Sequence, residues 1–143
     1  MRLKLFASIV SAILLAGCNS KAERAIVAAA GSGDVEQVRI LLDNGANVDA
    51  VALDDWTPLT RAADKGHMKM IELLLSRGAS INKPSGDLTP LFFAARSGHT
   101  QIVKFLIKHG AKLDLPLAGR ERFIERIHNS QDRELLDLLS RQL

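Results

Sequence analysis

The sequence predicts an all-α solenoid, in which helix-turn-helix units stack side by side and extended loops join them. Three observations carry the prediction. Residues 57–82 read TPLTRAADKGHMKMIELLLSRGASIN and residues 89–114 read TPLFFAARSGHTQIVKFLIKHGAKLD, so one pattern occurs twice. Thr57 returns as Thr89, and the span from Pro58 to Gly78 equals that from Pro90 to Gly110. A fixed period in this range is the signature of a stacked array. In each copy an apolar stripe recurs at i, i+1, i+4, i+5, the spacing of an amphipathic helix: Met70, Ile71, Leu74 and Leu75, then Ile102, Val103, Leu106 and Ile107.

Residues 1–17 stand apart from this pattern. Arg2 and Lys4 precede an uncharged, mostly apolar run from Leu5 to Ala16. A membrane-spanning helix needs about 20 residues, more than this run holds, so it fits a signal-peptide core better. It ends Leu15-Ala16-Gly17-Cys18, which resembles the bacterial lipobox, where cleavage precedes a lipid-modified Cys. Small residues suit a narrow protease site, and the thiol is the attachment point. Residues 1–17 are therefore expected to be a lipoprotein signal peptide, and 18–21 the lipidated N-terminus with a short tether. A retained anchor helix, or a general secretory signal with an incidental Cys, are the competing readings. The resemblance implies covalent lipid on Cys18 and a place in the cell envelope. Because Asn19 and not Asp follows, it further implies the outer membrane, facing the periplasm. Asn19, Ser20 and Lys21 reach about 10 Å at full stretch, so the folded body is expected close against the bilayer.

Removing Arg2 and Lys4 takes the net charge from +3 to +1. A nucleic-acid partner then loses its electrostatic argument. With one Cys in the chain no internal disulfide forms.

Residues 22–143 are expected to form the repeat domain, with units at about 21–52, 53–84 and 85–115 and a C-terminal cap at 116–143. In the first unit Ala29-Ala30, Gly33, Val38, Leu41, Leu42, Gly45-Ala46 and Asp49 fall on repeat positions. Arg24-Ala25 replaces Thr-Pro, and Gln37 stands where Met70 and Ile102 are apolar. A terminal unit has one face without a neighbour, so a polar residue suits it. The step from Gly33 to Gly66 is longer by a single position than that from Gly66 to Gly98, which places one extra residue in the loop near Val51 to Leu53.

In units two and three Thr57 and Thr89 offer N-cap hydroxyls. Pro58 and Pro90 follow at the first helical position, where Pro gives up no hydrogen bond. Ala62-Ala63 and Ala94-Ala95 are small enough for a second helix to approach. Gly66 and Gly98 suit a left-handed helix end, and Gly78 and Gly110 close the second helix. The pattern TPLxxAA…GHxxIVxxLLxxGAxxN resembles the ankyrin repeat. That resemblance implies helix, tight turn, helix and extended loop, and a role in binding another protein.

The cap is fainter. Leu135, Leu136, Leu138 and Leu139 repeat, one period later, the spacing of Ile102, Val103, Phe105 and Leu106. Phe123, Ile124 and Ile127 make an earlier apolar face, and Ser130 is placed to cap the last helix. Arg120, Glu121, Arg122, Glu125, Arg126, Arg133 and Arg141 are expected to be solvated.

No GxSxG, HExxH or Gly-rich phosphate loop occurs. Neither a catalytic site, a metal nor a cofactor is expected, apart from the covalent lipid. His67 and His99 share one repeat position and are expected to bond across the turn. Asp54-Asp55 is expected to stay solvated. The reading from a different class is a hydrolase using Asp and His of the concave groove. The ankyrin resemblance implies contacts through loop tips and the exposed side of each first helix. These are Asp54, Trp56, Asp64 and Lys65 in unit two, and Ser85, Leu88, Arg96 and Ser97 in unit three. Trp56 and Leu88 are equivalent positions and, if exposed, make a hot spot; the alternative folds Trp56 onto its own unit. Phe92 stands where many ankyrin repeats have a turn-bracing His, with Thr60 there in unit two, which is expected to weaken the turn. Phe93 is expected in the core. The expected function is a membrane-held module gripping another protein; the alternative is an immunity or inhibitor protein that neutralises a secreted effector enzyme.

Overall fold

The computed structural model describes residues 20–52, 54–113, 121–125, 129 and 132–141. The expected signal peptide and Cys18 lie outside these residues, as do Asp114, Arg120, Arg126, Ile127 and Ser130. The described residues contain eight helical segments: α1 (20–32), α2 (Val35–Asp43), α3 (Pro58–Lys65), α4 (Met68–Ser76), α5 (Pro90–Ser97), α6 (Thr100–Lys108), α7 (121–125) and α8 (Arg133–Ser140). None of them is long and apolar enough to cross a membrane.

Local chemistry sets the helix ends. Thr57 and Thr89 cap α3 and α5, each followed by Pro at the first helical position. Gly66 and Gly98 end them at φ 81° and 80°. The first unit lacks Thr-Pro, so nothing stops α1 upstream. It begins at Ser20, and Arg24 Nε donates to the Ser20 carbonyl at 3.2 Å. Ser20 and Lys21, expected in the tether, are helical.

The units stack as successive helix pairs: α3 packs on α5, α2 on α4, and α6 on α8. Their apolar faces merge into one core that runs the length of the stack. Ile26, Ala30, Val38, Leu59, Ala62, Met70, Ile71, Leu74, Leu91, Ala94, Leu106 and Leu135 are all buried in it. Full burial of each large side chain contributes about 1.5–3 kcal/mol. The small Ala62 and Ala94 let the helices close on one another.

Polar bonds tie each unit to the next. His67 Nε2 donates to the Gly31 carbonyl and His99 Nε2 to the Asp64 carbonyl, each at 3.0 Å. The histidines were expected to bond across their own turn, but they reach back to the preceding unit, because the turn glycine leaves room for the ring. Asp49 accepts from the Ser80 backbone and hydroxyl, and Asn82 Oδ1 accepts from Lys112 N at 2.8 Å. One repeat position thus pins each following loop.

The extra residue of the first loop is visible. Ala52 N donates to the Trp56 carbonyl and Asp55 N to the Ala52 carbonyl, with Asp55 at φ 59°. The equivalent Ser85–Leu88 turn is one residue shorter and puts Gly86 at φ 58°.

In the cap, α8 is capped by Asp132, whose carboxylate accepts from Leu135 N at 3.2 Å. The expected Ser130 stands too early in the chain for that bond. Phe123 is buried, but Ile124 is exposed, which corrects its expected place on the apolar face.

Candidate interaction face

The site begins with three buried hydroxyls. Thr57 Oγ1 accepts from Thr60 N at 3.1 Å, and Thr60 Oγ1 accepts from Thr57 N at 3.0 Å, closing a capping box. Ser85 Oγ, from the next loop, also accepts from Thr57 N at 3.0 Å and bonds the Thr60 hydroxyl. Thr60 therefore does not weaken its turn; its hydroxyl replaces the expected bracing His. Ser85, expected on the binding surface, is 7% exposed because its hydroxyl is drawn into this network. In unit three Phe92 has no hydroxyl, and Thr89 Oγ1 keeps only the bond from Phe92 N at 3.4 Å.

This network fixes the backbone beside Trp56. The indole is half-buried, its ring 4.6 Å from that of Phe93 and tilted by 47°. Phe92 meets Phe93 edge-on at 5.9 Å. The Arg61 guanidinium lies 4.3 Å over Trp56, and that of Arg96 lies 4.8 Å over Phe93. Such contacts are worth about 0.5–1 kcal/mol each where solvent reaches them. Trp56 is thus neither a freely exposed hot spot nor folded onto its own unit: it is laid across the joint between units two and three. Leu88, its equivalent, is half-buried and closes the Ser85 turn. Phe93 is buried at 4% exposure, but under Trp56 and Arg96, on the face of the stack.

Carboxylates fix both guanidiniums. Asp54 Oδ2 is 3.4 Å from Arg61 Nη2, and Asp64 Oδ1 accepts from Arg96 Nη2 at 3.1 Å and from Ser97 Oγ at 3.0 Å. Lys65 Nζ stands 3.4 Å from the other Asp64 oxygen. Burial pushes the Asp64 carboxyl up, but bonds from Ser97, Arg96 and Lys65 outweigh it and hold the group below its ordinary value. It stays anionic at neutral pH.

Of the expected contact residues, the structure gathers Asp54, Trp56, Asp64, Lys65, Arg96 and Ser97 on one face and takes Ser85 out of it. Sequence reasoning missed Arg61 and the surface role of Phe93. A signal existed: the two share one repeat position, one helical turn before Asp64 and Arg96 respectively. The face offers flat aromatic surface flanked by exposed Arg96 and Lys65, an arrangement able to bind through stacking and charge-assisted hydrogen bonds. Among the described residues no group of three His, Cys, Asp or Glu is placed to hold a metal ion. The two repeat histidines are turned into the stack.

Comparison with known proteins agrees with this architecture. A family model of ankyrin repeats in many copies matches residues 26–75 and again 59–107, together more than half of the 143-residue chain. Ankyrin repeat and KH domain-containing protein mask of Drosophila melanogaster is 53% identical over 58 residues, 39% of this chain and 1% of that protein. Human ankyrin repeat domain-containing protein 17 is 51% identical over 59 residues, 40% of this chain and 2% of that one. The mouse ankyrin repeat, SAM and basic leucine zipper domain-containing protein 1 is 43% identical over 49 residues, 34% of this chain and 10% of that one. The chain therefore spans a small part of the length of these relatives.

Proposed function

The chain belongs to the ankyrin-repeat family, and on that premise we propose that it is a protein-binding module, lipid-anchored at Cys18 and displayed from the outer membrane into the periplasm. The observation that carries the binding reading is the Trp56–Phe93 stack with Arg61 and Arg96 laid over it. Aromatic and Arg side chains held in place before binding lose little freedom when a partner arrives. The lipid anchor is supported by Leu15-Ala16-Gly17-Cys18 after an apolar run flanked by Arg2 and Lys4. An inhibitor of a secreted enzyme is one form the same binding could take.

The test captures partners from envelope membranes with the lipidated protein. Trp56→Ala and Arg96→Ala should lose the specific partner, while Glu72→Ala, exposed on α4 away from this face, should keep it. Thermal melts establish that each variant is folded. Equal capture by all three removes the assignment of this face. Separately, Cys18→Ala should accumulate as unprocessed precursor; normal maturation removes the anchor.

A further inference from the structure

The two ends of the stack differ. In α8 the equivalents of Gln37, Ile40 and Leu41 are Leu135, Leu138 and Leu139. All three are buried or half-buried although no further unit is described after α8. In α4 the same positions, Met70, Leu73 and Leu74, are buried at 0%, 9% and 0% exposure. These positions are therefore covered by the preceding unit. α2 has none. Gln37 is exposed and polar there, as a terminal position requires. Ile40 stays apolar and is 47% exposed, and Leu41 is only half-buried. The first unit is capped for water at one position and left apolar at the next.

Its place in the chain says what covers it. α1 and α2 run antiparallel across the Gly33 turn. Ile40, in the last turn of α2, therefore stands beside the start of α1, and α1 begins at Ser20, next but one to Cys18. Lys21 and Arg24, both exposed, lie in the first turns of α1. Once residues 1–17 are removed, no upstream protein remains to cover this end, and the acyl chains on Cys18 enter the bilayer beside it. We propose that the end face of the first unit, Ile40 and Leu41 with Lys21 and Arg24 at its edge, seats on an anionic lipid surface. The stack then stands on its first unit and carries the Trp56–Phe93 face clear of the bilayer. The acyl chains supply the holding strength, and the apolar and basic edge sets the orientation. The inference rests on the lipidated reading of Cys18.

The chain has no other thiol, so a cysteine introduced by Ile40→Cys or Ser140→Cys can be labelled alone in the lipidated protein. Each is labelled with an environment-sensitive fluorophore in vesicles of phosphatidylethanolamine and phosphatidylglycerol. The label at position 40 should be quenched several-fold more by spin-labelled lipid than the label at 140, and less by aqueous iodide. Equal quenching at both positions, with lipid on Cys18 verified by mass, overturns the orientation alone. A mature chain without lipid overturns both the orientation and the anchor. A label at 40 that is shielded in detergent, in a chain that sediments as a dimer, overturns it in favour of a second copy on this face.

Discussion

Gly66 and Gly78 both sit at positive φ, 81° and 85°, yet different forces hold them there. A Cβ on Gly78 would meet nothing within 4 Å, whereas one on Gly66 would lie 2.7 Å from Cε1 of His99. Ala at Gly78 should therefore lose only the left-handed strain, about 1–2 kcal/mol. Ala at Gly66 carries the same strain and also displaces the imidazole that donates to the Asp64 carbonyl. It should destabilise by clearly more in urea melts, and His99→Ala should shrink the gap between the two glycine variants. Equal losses at both glycines would mean that the ring swings aside freely and that the inter-unit bond contributes little. The same residue scale explains a sequence reading that failed. Thr60 looked like a loss because it replaces a turn-bracing residue, but its hydroxyl finds Thr57 and Ser85 in the fold. Ser85 belongs to the next loop, far along the chain, and no local pattern announces that meeting.

Element boundaries were the most legible part of the chain, since Thr-Pro at a start and Gly at a stop act within a turn of where they stand. How elements dock was less so. Lys104 is 8% exposed on α6, and its ammonium meets Asp132 at 2.6 Å and Glu134 at 2.9 Å, the cap and first turn of α8. Lys108 adds a second bond to Glu134. In the sequence these four are scattered charges; only stacking gathers them. The ammonium holds the Asp132 carboxyl below its ordinary value, and Lys108 with Lys104 does the same for Glu134. A carboxylate lowered in this way contributes stability above its unfolded value, about 4, and that stability disappears as pH falls through the lowered folded value. The Lys104 ammonium is raised by Asp132 and Glu134, so its share is present below about 10.4 and is lost as pH rises through the raised value. Hydrogen exchange in α8 should therefore accelerate at both pH extremes before that of α4 does. Lys104→Met should flatten both limbs by removing the titrating partner. An unchanged pH profile in that variant would mean that apolar packing alone docks α8.

At the scale of the molecule, stability is a sum of unit and interface contributions, and these are unequal along the stack. α2 buries one residue and α8 two, while α3, α4, α5 and α6 bury four or five each. A unit with fewer buried contacts opens at lower free energy. Native-state hydrogen exchange should therefore rank α3 to α6 slowest and α2 and α8 faster, with the ends opening before the middle. Uniform protection would show one all-or-none unit and remove the additive picture. The ranking bears on function, because Trp56, Arg61, Phe93 and Arg96 all belong to the two central units, so the interaction face stays ordered while the ends fray. It also separates the two ends. If lipid covers Ile40, vesicles replace the missing neighbour of α2 and slow its exchange, while α8, at the far end, keeps the rate it has in detergent. Slowing of both ends together would point to general stabilisation on the vesicle; slowing of α2 alone is the mark of a stack standing on its first unit.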